Sequence, residues 1–503
     1  VTLDNNTVFA VEENTPTQAE IVVDYTVAGG RMQSRRVAPL IVYGRRAIDW
    51  SEGTPVTAFV TPQEENVRSF AHAALVDPAA ARALNVPEPM SNAVAMFSAM
   101  NQAGLHYVKD PIVTAHSAVL DTVQFPRETL ADKTGDCDDL SVLYASLLES
   151  VGVETAFLLV PGHVLVGVNA GVPDGGLDRV TLDPSKVLVR DGKVFIPVET
   201  TLLGKSFRDA WAEGAATVAR AASKTGADGL VVIETRTGWA SYPPAALPRA
   251  AGLAVTKPDA VKNGAVAEVK SVASERDTAV NARLAQLAAA VQKNAAAPEA
   301  AQYAAMLARR GDVDKARAVL KAANDLASKN GAPSATFANN LANVEVLAGD
   351  QVSAVGRYRA ILDKVGAKRG DVLTNLGIAY TQAGDQQKAV EAFDAALAAG
   401  ASSAYIATGF EKAPANANVP VAAAPQNRAD DAATTTVAEQ DLKAILAKAL
   451  AARKQKADAD KKAGVQEKQA AADRFANPLP SGARRGDDAQ SKLRMAELLR
   501  WMS

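Results

Sequence analysis

Thr134–Ser150 reads TGDCDDLSVLYASLLES and carries the chain's only cysteine. Gly135 interrupts the incoming backbone, and Asp136 is suited to cap a helix that begins at Cys137. Leu140, Leu143, Tyr144, Leu147, Leu148 and Val151 recur at helical spacing on one face, and Gly152 is placed to stop the helix. Cys137 therefore falls in the first turn. The positive end of the helix dipole favours the thiolate that nucleophilic chemistry needs. Asp136, Asp138 and Asp139 act against it, because neighbouring negative charge raises a thiol pKa. A cationic partner has to settle the balance.

Thr155–Val160 (TAFLLV) and Val164–Val168 (VLVGV) read as short strands around the turn Pro161-Gly162-His163. His163 thus opens a strand, beside a turn that leaves room around its ring. A cysteine at a helix N-terminus with a histidine on a following strand is an arrangement that activates sulfur. Two acids compete to orient the imidazole. Asp183 stands in Leu182-Asp183-Pro184, and Glu199 ends the strand-like run Lys193–Thr201, KVFIPVETT.

The set GDCDDL (135–140), PGHV (161–164) and FIPVETT (195–201) resembles the transglutaminase-like superfamily of papain-related thiol enzymes. That superfamily's last motif reads aromatic-x-x-Val-Asp-Pro-Thr on a strand, so Glu199 stands where an aspartate is usual. The likeness runs from Pro55 to Pro248 and takes in FVTP (59–62) and QFPRETL (124–130). It implies a papain-like α+β domain with Cys137 as nucleophile, His163 as base, and Glu199, or alternatively Asp183, as the orienting acid. By analogy with the glutamine of papain-like enzymes, Gln124 is a candidate oxyanion donor. No cofactor is implied. The implied substrate is a protein or peptide, with hydrolysis preferred to cross-linking. The implied compartment is a bacterial cell envelope, periplasmic or associated with the outer membrane. The competing expectation is a silent fold that serves as an envelope scaffold.

Other candidates read as structural. Asp136, Asp138 and Asp139 adjoin the thiol, but no calcium-loop spacing follows them, so charged helix-start residues rather than a metal site are expected. His72, His106 and His116 show no ligand spacing. Charged residues make up 22% of the chain and nearly cancel to −2, so no nucleic-acid footprint is expected. One cysteine rules out an internal disulfide framework, and no apolar run reaches the length of a membrane span. The first residue is Val1, which suggests a processed or truncated product.

The whole reads as a multidomain α+β protein. Residues 1–54 are β-rich: Glu20–Val27 and Arg36–Tyr43 pair around Gly29-Gly30, as in a fragment of an immunoglobulin-like β-sandwich. Residues 55–249 form the thiol domain, and 250–275 a linker. Residues 276–408 carry a helical repeat in which Gly311-Asp312, Gly349-Asp350 and Gly384-Asp385 mark turns, with Ala316, Ala354 and Ala389 in matching places. The pattern resembles tetratricopeptide repeats, an all-α solenoid that implies a protein partner on its concave face. Residues 409–435 read as a disordered linker, and 436–503 as an Ala/Lys-rich helix and tail ending in a short amphipathic docking segment that includes Leu498, Leu499 and Trp501.

Overall fold

The computed structural model describes residues 10–27, 29–109, 121–224, 229–248, 258–365, 369–401 and 499–500. The expected 409–435 linker lies outside them, as does all of the 436–503 tail except residues 499 and 500.

Strands β1 (Thr15–Val27) and β2 (Gly30–Val42) form one antiparallel ladder, from Thr15 opposite Val42 to Val27 opposite Gly30. Gly29, at φ +81°, supplies the left-handed turn that only glycine adopts cheaply. The expected β-sandwich fragment is corrected here to a two-stranded ladder. Ile21, Val23, Val37 and Ile41 remain about half exposed, and among the described residues no second sheet covers them.

The chain then builds a mixed body. Strand β3 (Ala47–Ile48) leads through a 3₁₀ turn, Thr54–Phe59, into α1 (Glu65–Ala74), α2 (Pro78–Ala83) and α3 (Glu88–Gln102). Short strands β4 (His106–Tyr107) and β5 (Asp121–Thr122) precede α4 (Pro126–Asp132), β6 (Thr134–Gly135) and α5 (Cys137–Ser150). β7 (Thr155–Val160), β8 (His163–Pro173), β9 (Leu188–Arg190) and β10 (Lys193–Val198) follow, then α6 (Phe207–Ala222), β11 (Val231–Glu234) and α7 (Thr235–Gly238). The main sheet is antiparallel, in the order β11-β7-β8-β10-β9. The leucine face of α5 packs into it: Leu140, Leu143, Leu147 and Leu148 are fully buried, each worth about 1.5–3 kcal/mol. Phe97 of α3 meets Tyr144 and Phe207 edge-on, and Tyr144 Oη donates to the Ala93 carbonyl at 2.8 Å.

The expected 250–275 linker is overturned in its described part. Helix α8 (Pro258–Lys293) runs through it for 36 residues. Val261, Ala265, Val269 and Val272 bury one face in the first core, beside α3. Three turns on, Val280 and Leu287 belong to a second core. Between them the Arg276 guanidinium donates to the carbonyls of Leu84, Asn85 and Arg179.

The second core is helical throughout. It comprises α9 (Glu299–Arg309), α10 (Val313–Lys329), α11 (Ala335–Leu347), α12 (Gln351–Val365), α13 (Gly370–Ala383) and α14 (Gln386–Ala398). Each Gly-Asp pair lies in a turn between consecutive helices, with its glycine left-handed. Small residues set the helix spacing: a Cβ on Gly377 would come within 2.7 Å of the Phe393 ring. The nearly buried pair Arg309–Asp178, at 2.7 Å, ties this array to the first body. No helix among the described residues is long and apolar enough to cross a membrane.

Candidate active site

The start of α5 follows from its local sequence. Asp136 accepts from the N–H groups of Asp138 and Asp139 at 3.2 and 3.3 Å, and Asp139 returns the contact by accepting from Asp136 N at 3.3 Å. This reciprocal cap satisfies donors that a helix start leaves open. Gly135 is required by space, since a Cβ there would lie 2.6 Å from the Asp139 Cβ. Asp139 Oδ1 also takes the Gln124 main-chain N–H at 2.6 Å, which fastens the preceding loop to the first helical turn. Gln124 Oε1 is buried and has no hydrogen-bond partner among the described residues.

The β7–β8 hairpin pairs Val160 with His163 across the turn, with Gly162 left-handed at φ +70°. On the other side of β8, Val198 lies opposite Val166, so the end of β10 arrives beside the start of β8. Glu199 Oε2 then sits 2.7 Å from His163 Nε2. Its other oxygen accepts from Thr201 N at 3.1 Å and Thr201 Oγ1 at 2.6 Å. One turn after Cys137, Ser141 Oγ bonds the Thr200 hydroxyl at 2.9 Å and reaches the Val164 carbonyl at 3.5 Å. Thr200 and Val164 are the chain neighbours of Glu199 and His163. The Val164 N–H also donates to the Cys137 sulfur. Helix, histidine strand and acid strand are thus held in one register around the thiol.

The electrostatics differ from the dipole argument. Burial, then the carboxylates of Asp138 and Asp136, push the Cys137 thiol up to about 12, against the Val164 N–H, which lowers it. Asp138 is raised far above the carboxylate range, first by burial and then by its hydrogen bond with Asp136, so it holds a proton at neutral pH. Asp139 is raised to about 7, chiefly by burial. Burial would lift Glu199 too, but hydrogen bonds from His163 and Thr201 hold its carboxyl below the usual range. The resting site therefore pairs a neutral thiol with an anionic Glu199.

Asp183 lies elsewhere. It caps the 3₁₀ turn Pro184–Lys186 by accepting from Ser185 N at 3.0 Å and Ser185 Oγ at 2.6 Å. Of the two acids, Glu199 is the one in contact with His163. The ligand atoms of Asp136, Cys137 and Asp138 lie within 4.8 Å of one another, close enough for a cation. Two of the three carry protons at neutral pH that a cation would have to displace.

Two residues near the site escaped sequence reading. Tyr107 has its phenol raised by burial and then by Cys137, Asp136 and Glu199, which puts it within their field; a tyrosine in a loop gave no signal. Ser141 had one: a polar residue flanked by Leu140 and Val142 on a helix bound for the core. Comparison of the chain with protein-family models, curated proteins and solved structures finds no match.

Proposed function

We propose that residues 55–249 form a transglutaminase-like thiol hydrolase, joined to a tetratricopeptide-type array that binds an extended peptide or protein. The observation that carries this reading is the His163 Nε2–Glu199 contact of 2.7 Å, beside a helix-start cysteine bonded to the residue after His163. With Nε2 held by a carboxylate, Nδ1 is the ring nitrogen left for the thiol. Because the thiol rests neutral, its proton passes to His163 as sulfur attacks a carboxamide carbonyl. Gln124 is the proposed donor to the oxyanion. The tetrahedral adduct collapses with cleavage of the C–N bond, and the imidazolium gives its proton to the departing amine. His163 then takes a proton from water as that water attacks the thioester, releasing the acid and restoring the thiol. Glu199 keeps the ring aligned and balances its charge. The cell envelope is the proposed compartment, on the family likeness alone.

The test is digestion of a denatured protein mixture in H₂¹⁸O by the intact chain, with products read by mass spectrometry. New carboxylates carrying ¹⁸O are expected from the wild type and from neither Cys137→Ala nor His163→Ala. Equal yield from Cys137→Ala would overturn the assignment. The raised thiol favours a second reading, in which the domain is a silent scaffold. On that reading no chain gives product, and alkylation of Cys137 is indifferent to His163→Ala.

A further inference from the structure

Residues 499 and 500 lie in the helical array, far along the chain from their contacts. The Arg500 carbonyl accepts from three side-chain amides: Asn339 Nδ2 at 2.8 Å, Asn343 Nδ2 at 3.0 Å and Asn375 Nδ2 at 2.9 Å. The Arg500 N–H donates to Asn375 Oδ1 at 2.6 Å. Asn339 and Asn343 sit one turn apart on α11, and Asn375 is on α13. All three are fully buried. Their other bonds hold them in place, since Asn375 Nδ2 reaches Asn339 Oδ1 at 3.0 Å and Tyr358 Oη donates to Asn343 Oδ1 at 2.6 Å. Leu499 is 2% exposed among the apolar residues of the second core.

Three buried amides aimed at one carbonyl are costly unless something fills the position, because a buried donor left unpaired costs about 1–3 kcal/mol. The asparagines meet main-chain atoms only, so they read an extended backbone and not the identity of residue 500. Selectivity falls to the pocket under Leu499, which takes an aliphatic side chain. Beside Arg500 the groove continues into a cavity of about 370 Å³ lined by Arg369, Asp371, Thr374 and Gly400, so it extends beyond the two docked residues.

The geometry points to a peptide-binding groove between α11 and α13 whose resident ligand is the chain's own Leu499–Arg500, an intramolecular plug that a partner peptide with a buried aliphatic residue must displace. This rests on the peptide-binding reading of the array and names its first ligand. A tethered occupant competes at high effective concentration, and the groove's apparent affinity for any free peptide falls by the fraction of time the plug is out.

The experiment uses the full chain and a fluorescein-labelled peptide of residues 489–503, followed by fluorescence polarisation. The Leu499→Asp chain is expected to bind the peptide at least about tenfold more tightly than the wild type, and adding Asn375→Ala should remove that binding. Circular dichroism checks that each variant is folded. As a readout that needs no variant, an excess of unlabelled peptide should speed amide exchange at Arg500 of the ¹⁵N-labelled wild type. Equal peptide affinity for wild type and Leu499→Asp, or an Arg500 amide whose exchange ignores the peptide, would overturn the proposal. Neither readout involves Cys137, so failure here leaves the hydrolase reading standing, and an inert thiol leaves the plug standing.

Discussion

At the scale of the residue, the decisive fact is the protonation of Cys137. A helix N-terminus favours thiolate, but the dipole is worth at most about 2 kcal/mol, and removing a charge from water costs more. Burial prevails and the thiol is pushed up to about 12. Iodoacetamide should therefore alkylate Cys137 at pH 7 at least about tenfold more slowly than it alkylates free cysteine, with the rate still climbing above pH 9. A plateau reached below pH 8 would instead establish a resting thiolate–imidazolium pair. Asp138 yields a second prediction. Its folded pKa lies above its unfolded value, so folding is undisturbed while both states are protonated and loses stability as pH rises through the unfolded pKa toward the folded one. Asp138→Asn keeps the acceptor that Asp139 N uses at 2.9 Å and removes the ionisation. The variant should match the wild type in thermal midpoint at pH 3 and exceed it at pH 8; equal midpoints at both would refute the assignment.

At the scale of the element, α5 holds the site together through Ser141. Its hydroxyl joins the helix to Thr200 and Val164, which adjoin the acid and the histidine. Ser141→Ala leaves the Thr200 hydroxyl buried with that partner gone, at a cost of about 1–3 kcal/mol. Urea denaturation should show that loss, and ¹⁸O incorporation should fall with it. A variant as stable and as active as the wild type would mean that the register is fixed elsewhere. Much of this element was legible beforehand. Cap, glycine and leucine face all act within a few residues of one another, and so they are written locally. The choice between Glu199 and Asp183 was not legible, because both follow His163 and both have cap-like neighbours. Strand pairing decides it, by bringing Val198 opposite Val166.

At the scale of the whole molecule, α8 joins two cores that the sequence reading had separated by a linker. Val269, 1% exposed, lies in the first, and Leu287, 1% exposed, in the second. Val269→Asp places a charge among apolar residues at a cost of about 3 kcal/mol or more. If the helix couples the cores, calorimetry should show one transition for the pair, displaced downward as a unit. A residual transition at the wild-type temperature would show that they unfold independently. What the sequence determined alone is what short-range chemistry dictates: the cap at Asp136, the stripe from Leu140 to Val151, the turn before His163, and the left-handed glycines at 311, 349 and 384. What only the tertiary structure decided depends on which surfaces meet and where water is excluded. That group holds the pairing of His163 with Glu199, the proton on Cys137, the burial of residues 261–273, and the capture of Leu499–Arg500 by three asparagines. No window of sequence contains both sides of those contacts, and desolvation, which sets their energies, exists only once the chain has packed.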